Sequence, residues 1–321
     1  MKPFLLSPSG KDYIWGGRRL KDDFCKDIDL TPLAESWECS IHPDGPSYDA
    51  ITGKKLSDIL REHQEYLGSH PSDGLPILVK LIDAAKKLSV QVHPSDEYAK
   101  EYEGGQLGKT EMWYVIDADP GAKLVYGFNS DVNEGMLRAA LKNGTIENYL
   151  QFVPVHPGDI FFIEAGTVHA IGAGILLAEI QENSNLTYRL YDYGRLGKDG
   201  KPRELHVDKA LRVVNMKSSS EPRQPMRVLK YKPGFASEFL SRCKYFQVER
   251  VLLNTERVHA MANYQTGSTS FEVLLCINGC GVINEADGDH INFFKGDCIF
   301  VPANSIQMKL HGKAEFLKIG C

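Results

Sequence analysis

An internal repeat constrains the fold of this chain more than any other feature of its sequence. Residues 157–169 (PGDIFFIEAGTVH) align with residues 295–307 (KGDCIFVPANSIQ) at an offset of 138 positions. The alignment matches Gly158-Asp159 with Gly296-Asp297, and an apolar run follows each Gly-Asp pair. A chance similarity between two strands of one β protein is the alternative. The repeat predicts two copies of one β unit in a single chain.

A second match lies upstream, in the same order. Residues 111–117 (EMWYVID) align with residues 272–278 (EVLLCIN) at an offset of 161 positions. The two offsets differ by 23, which is close to the length of a helical pattern inside the first copy. Apolar residues recur at a spacing near 3.6 over residues 132–150, after Asp131 as the expected N-cap. The first copy is therefore predicted to contain a helical insertion near 131–150.

Most of the remaining chain consists of short apolar runs between Gly, Pro, Asn and Asp residues, which is typical of β strands. Further helical character is confined to residues 55–67 and 96–103. A Gly-Asp turn, an apolar strand and a turn of small residues are typical of a double-sheet jelly roll of the cupin type. We therefore predict a mainly β protein with two cupin-like jelly-roll units and short helical insertions.

The segment 218–225 (SSSEPRQP) has the composition of a linker between the two copies. It divides the chain into a first unit over residues 1–220, which includes the helical insertion, and a second unit over residues 226–321. Because the candidate site described below lies in the first unit, the first is predicted to be catalytic and the second to be free of metal.

Charge, hydropathy and cysteine usage exclude several classes of partner. The chain has 37 Lys and Arg against 42 Asp and Glu, with no long basic run, so nucleic acid is not an expected partner. No apolar run approaches the roughly 20 residues of a membrane helix, and no signal peptide is recognised, so no membrane partner is expected. The seven cysteines are scattered without a CxxC pair, which predicts reduced thiols and a cytoplasmic protein.

Three segments supply side chains that bind metal ions. Gln91 and His93 lie two positions apart on a predicted strand, which places both on the same face. Glu111 begins the next apolar strand, and His169 follows the repeated strand and its turn. These side chains form an N/O donor set suited to Zn²⁺ or a similar divalent ion. A purely structural role is the alternative for each residue alone. The second copy has Gln307 in place of His169, so we predict one metal ion per chain.

Seven short motifs along the first two thirds of the chain point to a known enzyme family. They are residues 15–17 (WGG), 34–38 (AESWE), 79–83 (VKLID), 88–94 (LSVQVHP), 108–111 (GKTE), 165–170 (AGTVHA) and 188–192 (YRLYD). Together they resemble class I, cupin-type mannose-6-phosphate isomerase (phosphomannose isomerase) in its short bacterial form. The similarity is specific from about residue 3 to 210 and looser beyond it. Thr110 departs from the Gly-Lys-Pro-Glu motif of longer members, whereas Glu111 is retained.

The resemblance implies a cupin-like catalytic domain, one zinc ion, and interconversion of mannose 6-phosphate with fructose 6-phosphate, an aldose–ketose isomerisation that passes through an enediol. The implied zinc ligands are Gln91, His93, Glu111 and His169. The implied catalytic residues are Arg189, Lys109 and Glu179, and the implied phosphate contact is Ser89. The proton-transferring base, the cation that anchors the phosphate, and the oligomeric state are left open.

Two other functions are compatible with part of this pattern. An iron-dependent dioxygenase of the same fold also uses two histidines and a carboxylate, but has no evident need for Lys109, Arg189 or Ser89. A non-enzymatic sugar-binding or storage module could keep the fold without the metal ligands. The second copy, which has Gln307 in place of His169, shows how such a module could arise. The first copy retains a full ligand set, so the expected partner is a small sugar phosphate that the chain converts.

Overall fold

The computed structural model of the chain describes residues 1–69, 74–220, 222, 224–258 and 260–321. Strands in three sheets dominate these residues, and the helices are few and short, so the predicted mainly β fold is confirmed. None of the helices in the described residues is both long and apolar enough to cross a membrane.

The strands and helices have the following bounds in chain order. The first thirteen strands are β1 (Phe4–Ser7), β2 (Ser9–Lys11), β3 (Glu35–Cys39), β4 (Tyr48–Asp49), β5 (Ile77–Ala84), β6 (Val90–Val92), β7 (Glu111–Ala118), β8 (Lys123–Phe128), β9 (Leu150–Pro154), β10 (Ile160–Ile163), β11 (His169–Ala170), β12 (Ile175–Glu182) and β13 (Tyr188–Tyr191). The others are β14 (Lys230–Lys232), β15 (Phe235–Arg242), β16 (Gln247–Asn254), β17 (Ala262–Tyr264), β18 (Glu272–Glu285), β19 (His290–Phe294), β20 (Cys298–Val301) and β21 (Met308–Gly320). The α-helices are α1 (Arg19–Asp22), α2 (Leu56–Glu62), α3 (Asp96–Tyr102), α4 (Glu134–Asn143) and α5 (Val207–Val213), and 3₁₀ turns cover Gln64–Leu67 and Ile146–Tyr149.

Two facing antiparallel sheets form the first jelly roll. The six-stranded sheet has the order β10-β7-β12-β5-β3-β2, and the five-stranded sheet has the order β13-β6-β11-β8-β9. Successive side chains of a strand point to opposite faces, so each strand presents alternate residues to the space between the sheets. Trp113 and Leu177 of the six-stranded sheet pack there with Leu124 and Val153 of the five-stranded sheet in one buried cluster.

The six-stranded sheet is buried on both of its faces. Its outer face carries Val79, Met112 and Ile180, which pack against Val273 and Phe300 of the C-terminal sheet. This explains why β5 and β12 are buried at every position and do not alternate between buried and exposed residues. The sheet that contributes to the first interior is therefore also the contact surface for the second unit.

The helical insertion covers the outer face of the five-stranded sheet. Helix α4 buries Leu137 and Ala140 against that sheet. Its N-cap is Asn133, whose side chain accepts the N–H of Met136 at 2.9 Å. The prediction of Asp131 as the N-cap is therefore wrong, because the Asp131 carboxylate accepts a backbone N–H from outside the helix.

The predicted repeat is confirmed by the register of two strand pairs. In the first unit β7 pairs with β10, and Glu111 lies opposite Ile163. In the second unit β18 pairs with β20, and Glu272 lies opposite Val301. Glu111 and Glu272 are 161 positions apart, and Ile163 and Val301 are 138 positions apart. These are the same two offsets that relate the aligned segments. The two halves of the repeat therefore occupy equivalent positions in the two units.

The Gly-Asp turns are equivalent as well. Asp159 and Asp297 each accept the backbone N–H of the residue three positions earlier, at 2.8 Å in both turns. Gly158 and Gly296 have φ angles of 90° and 101°. Side chains other than hydrogen are disfavoured at such angles, which accounts for the glycine in both copies.

The third sheet has ten strands and forms the C-terminal unit. Its main order is β14-β15-β16-β21-β18-β20-β1-β4, with β17 beside β21 and β19 beside β18. Strands β1 and β4 come from the beginning of the chain, so the N-terminal part of the sequence extends the second unit. The division into residues 1–220 and 226–321 stays a prediction. Within the predicted linker, Glu221 and Arg223 lie outside the described residues.

Candidate active site

Polar side chains form two cross-strand rows on the facing sheets of the first jelly roll. The row on the six-stranded sheet consists of Trp37, Lys80, Glu179 and Trp113. The row on the five-stranded sheet consists of Arg189, Gln91 and His169. Directly opposite residues of an antiparallel pair have Cβ atoms about 5 Å apart, so each row is a contiguous band.

His169 of the second row converges with another histidine and a glutamate. His93 follows β6, Glu111 begins β7 and His169 begins β11, and all three are buried. His93 Nε2 lies 3.6 Å from Glu111 Oε2, and His169 Nε2 lies 3.3 Å from Glu111 Oε1. The three donor atoms lie within 4.8 Å of one another, a spacing that can surround one ion.

Backbone carbonyls fix the tautomer of both histidines. His93 Nδ1 lies 2.9 Å from the carbonyl of Leu186, and His169 Nδ1 lies 2.8 Å from that of Thr167. A carbonyl only accepts, so each Nδ1 donates and each Nε2 presents a lone pair to the centre. Burial lowers the pKa of His169 to about 4 and, together with Lys109, lowers the pKa of His93 well below its ordinary value. Both rings are therefore neutral at neutral pH, the form that binds metal.

Glu111 and Gln91 supply the oxygen donors. Both Glu111 oxygens are buried without a well-aligned hydrogen-bond donor among the described residues, although Lys109 Nζ lies 2.8 Å from Oε2. Burial and the nearby Glu179 raise the pKa of Glu111. Gln91 Nε2 lies 3.3 Å from His169 Nε2, and a half-turn of this amide about its terminal bond brings Oε1 to the same place. An unsatisfied buried carboxylate beside two neutral imidazoles fits a divalent cation.

Glu179 connects this donor set to two buried lysines. Its Oε1 lies 3.0 Å from Lys80 Nζ and 3.7 Å from Lys109 Nζ, and its Oε2 accepts the indole N–H of Trp113 at 3.0 Å. Burial opposes ionisation of Glu179, but Lys109 and Lys80 outweigh it and lower the pKa. Glu179 is therefore anionic, and its negative charge lies between two ammonium groups.

Sequence reasoning did not single out Lys80 as a site residue. Lys80 is 3% exposed and stands in the middle of β5, which is apolar at most of its other positions. Burial of a lysine requires a partner, and Glu35 and Glu179 supply carboxylates at 3.8 and 3.0 Å. The sequence signal that could have identified Lys80 is a lysine in the middle of an otherwise mostly apolar strand.

A cavity of about 260 Å³ opens beside the donor set. Its walls include Lys80, Lys109, Glu179, Ser89 and Arg189. Arg189 Nε donates to the hydroxyl of Ser89 at 3.3 Å. The eight residues singled out from the sequence therefore lie together, in the donor set or on the cavity wall. A cavity of this size accepts a small polar molecule.

Among the residues that the structure describes, the equivalent place in the second unit has no such donor set. Glu272 matches Glu111 in register, but the hydroxyl of Tyr264 donates to its carboxylate, and Lys318 Nζ lies 3.5 Å away. Within the described residues, no group of three potential ligands includes Glu272. Ion pairing and hydrogen bonding therefore satisfy Glu272 without a metal.

Two jelly rolls in one chain, with a buried His/Glu/His donor set in the first, define a two-unit protein of the cupin class. Residues 4–119 match the family model described as phosphomannose isomerase type I, catalytic domain, and residues 236–320 match that of the mannose-6-phosphate isomerase cupin domain. The mannose-6-phosphate isomerase ManA of Bacillus subtilis is 37% identical, over 98% of this chain and 97% of that protein. The chain therefore belongs to the type I mannose-6-phosphate isomerase family.

Other relatives agree with this assignment. The mannose-6-phosphate isomerase of Streptococcus mutans is 41% identical over 67% of this chain and 68% of that protein. The crystal structure of the mannose 6-phosphate isomerase from Bacillus subtilis covers all of both chains with a TM-score of 0.91 and 33% identity. The predicted family and enzyme class are confirmed, and these relatives do not support a dioxygenase or a non-enzymatic module.

Proposed function

We propose that the chain is a zinc-dependent aldose–ketose isomerase that interconverts mannose 6-phosphate and fructose 6-phosphate through an enediol. The observation that carries this proposal is the buried His/Glu/His donor set beside a small cavity lined by lysine, arginine and glutamate. The names of the relatives supply the substrate, and the cytoplasm is the proposed location.

His93, Glu111 and His169, with the amide oxygen of Gln91, would hold the metal ion. Zinc suits this set because it accepts imidazole nitrogen and carboxylate oxygen together in four-coordinate sites. When bound, the ion polarises the oxygen of a sugar carbonyl. The hydrogen bonds of both Nδ1 atoms to backbone carbonyls keep the rings oriented for this task.

The isomerisation moves one proton between C1 and C2 and another between the oxygens on those carbons. A group near the sugar must therefore accept a proton and return it. Lys109 has this role in our proposal: its neutral amine would take the proton from carbon and the resulting ammonium would return it, and its Nζ borders the cavity, 2.8 Å from Glu111 and 3.7 Å from Glu179. Glu179, held by Lys80 and Trp113, orients Lys109 and balances its charge.

Arg189 and Ser89 complete the proposed site. The Arg189 guanidinium keeps its charge throughout the ordinary pH range, so it stabilises the negative charge that develops on the enediol oxygens. The Ser89 hydroxyl, which Arg189 contacts, would bind the phosphate of the sugar.

A coupled assay for fructose 6-phosphate, with mannose 6-phosphate as substrate and purified protein, tests the proposal. We expect turnover, its loss after treatment with a strong chelator, and its return when zinc or another divalent ion is added. Full activity with a measured metal content of zero contradicts the metal dependence. Failure to form fructose 6-phosphate with metal bound contradicts the substrate.

The metal content of the second unit gives a separate prediction. We expect one zinc per chain, and the same content after Glu272→Gln, because Tyr264 and Lys318 already satisfy that carboxylate. Elemental analysis of both proteins provides the measurement. Two tightly bound equivalents, with one lost on changing Glu272, Cys276 or His259, would refute it. His259 lies outside the described residues.

A further inference from the structure

The loop that carries Lys109 is fixed by hydrogen bonds at three consecutive backbone amides. The N–H groups of residues 108–110 donate, in order, to Asp96 Oδ1 at 3.0 Å, to the carbonyl of Pro94 at 3.1 Å and to Glu182 Oε1 at 2.7 Å. The Asp96 acceptor is an ionised carboxylate, which accepts more strongly than a neutral group. The position of the Lys109 backbone therefore depends on where the carboxyl groups of Asp96 and Glu182 are held.

The loop also lies in direct backbone contact with the start of α3. A Cβ atom placed on Gly108 would lie 2.5 Å from the backbone nitrogen of Asp96, closer than real Cβ contacts. Only glycine permits this approach. A displacement of Asp96 is therefore transmitted to Gly108 and to the neighbouring Lys109.

The second jelly roll holds the other oxygen of Asp96. The hydroxyl of Tyr245 donates to Asp96 Oδ2 at 2.5 Å, and Lys244 Nζ lies 3.0 Å from the same oxygen. Both residues belong to the turn between β15 and β16. Phe246, the next residue, is buried and packs edge-on against Phe162 of the first unit, with ring centroids 6.4 Å apart. The turn is thus anchored on the first unit.

The two carboxyl groups that hold the loop also influence each other's ionisation. Burial and a hydrogen bond to Asp96 raise the pKa of Glu182 to about 8, so Glu182 retains its proton at neutral pH. Burial alone would raise the pKa of Asp96, but the hydrogen bonds from Tyr245 and Glu182 lower it to about 2. Glu182 therefore accepts the Thr110 N–H as a neutral carboxyl group, whereas Asp96 accepts the Gly108 N–H as a carboxylate.

We propose that Tyr245 is a positioning residue for Lys109, acting through Asp96 and the backbone amide of Gly108. The inference rests on the role proposed above for Lys109. It gives the second jelly roll a part in the reaction, although the described part of that unit has no equivalent donor set.

Tyr245→Phe tests the inference, because it removes the hydroxyl and keeps the ring. We expect kcat to fall about tenfold, since small displacements of a catalytic group are costly, while KM and zinc content stay within twofold of the wild type. Tyr264→Phe is the matched control. This change likewise removes a tyrosine hydroxyl that donates to a carboxylate, that of Glu272. Because Tyr264 does not contact the Lys109 loop, we expect the kcat of this variant to equal that of the wild type. Equal kcat for Tyr245→Phe and Tyr264→Phe overturns the proposal.

A double-mutant cycle tests the route through Asp96. If Tyr245 acts through this carboxylate, Tyr245→Phe will lower kcat no further once Asp96→Ala is present, whereas independent effects would multiply. If Tyr245→Phe does not fold, Asp96→Asn replaces it, because this change removes one acceptor oxygen and should also cost about tenfold. Multiplicative effects, or an Asp96→Asn variant with wild-type kcat, refute the route. Wild-type turnover of mannose 6-phosphate tests the proposed function separately.

Discussion

Replacing His169 by alanine is expected to remove both the bound zinc and the isomerase activity, with kcat lower by roughly 10³-fold or more. Changes to residues that only orient a metal ligand already cost about 10- to 100-fold, and loss of a ligand should cost more. His169 Nε2 faces Glu111 Oε1 at 3.3 Å and has no solvent exposure, so water cannot replace the ring without reorganising the site. Elemental analysis and the coupled assay on the same preparation provide the measurement.

His290→Ala is the control for this change. His290 is exposed at the start of β19 in the second unit, so its replacement should leave zinc content and kcat unchanged. A His169→Ala protein that keeps one zinc per chain and turns over within tenfold of the wild type would show that the donor set is structural.

Replacing Arg189 by alanine should lower kcat by roughly 10²-fold, the scale of a lost oxyanion donor. Arg189→Lys should recover little of this loss, because a point charge cannot reproduce the planar fork. The Arg189 guanidinium donates hydrogen bonds from two of its nitrogens: Nε to Ser89 Oγ at 3.3 Å and Nη1 to the carbonyl of Glu204 at 2.8 Å. Steady-state kinetics with mannose 6-phosphate measure kcat and KM separately.

The division between kcat and KM decides the role of Arg189. A rise in KM with unchanged kcat would mean that Arg189 binds substrate and transition state equally, as a phosphate anchor does. The contact with Ser89, the proposed phosphate ligand, makes this a concrete alternative. Arg138→Ala, which removes an exposed arginine paired with Glu134 and Asp208 on the helical insertion, should leave both parameters unchanged.

The repeat and the donor set could be predicted because both follow from local sequence. A Gly-Asp turn fixes where a strand begins, and the two-residue period then fixes which side chains point inward. The cap of α4 could not be fixed this way, because Asp131 and Asn133 are both good N-cap residues and the contacts of Asp131 outside the helix decide between them. Lys80 was missed because its partners Glu35 and Glu179 come from other strands.

The contact between Tyr245 and Asp96 lies furthest from what the sequence can predict. The two residues are 149 positions apart and belong to different units. No periodicity or motif marks a tyrosine in a turn as the partner of a particular carboxylate. Such pairs depend on how one unit packs on the other, which the pattern within either unit does not encode.

The pairing of β1 with β20 affects how the two units depend on each other. Phe4 lies opposite Phe300, so β1 pairs with a strand that is far away from it along the chain. Closing so long a loop is entropically costly, and such non-local pairings slow folding. A gene fragment encoding only residues 226–321 would leave one edge of β20 unpaired and open to association with other chains. The second unit therefore depends on a strand from the N-terminal part of the sequence to complete its sheet.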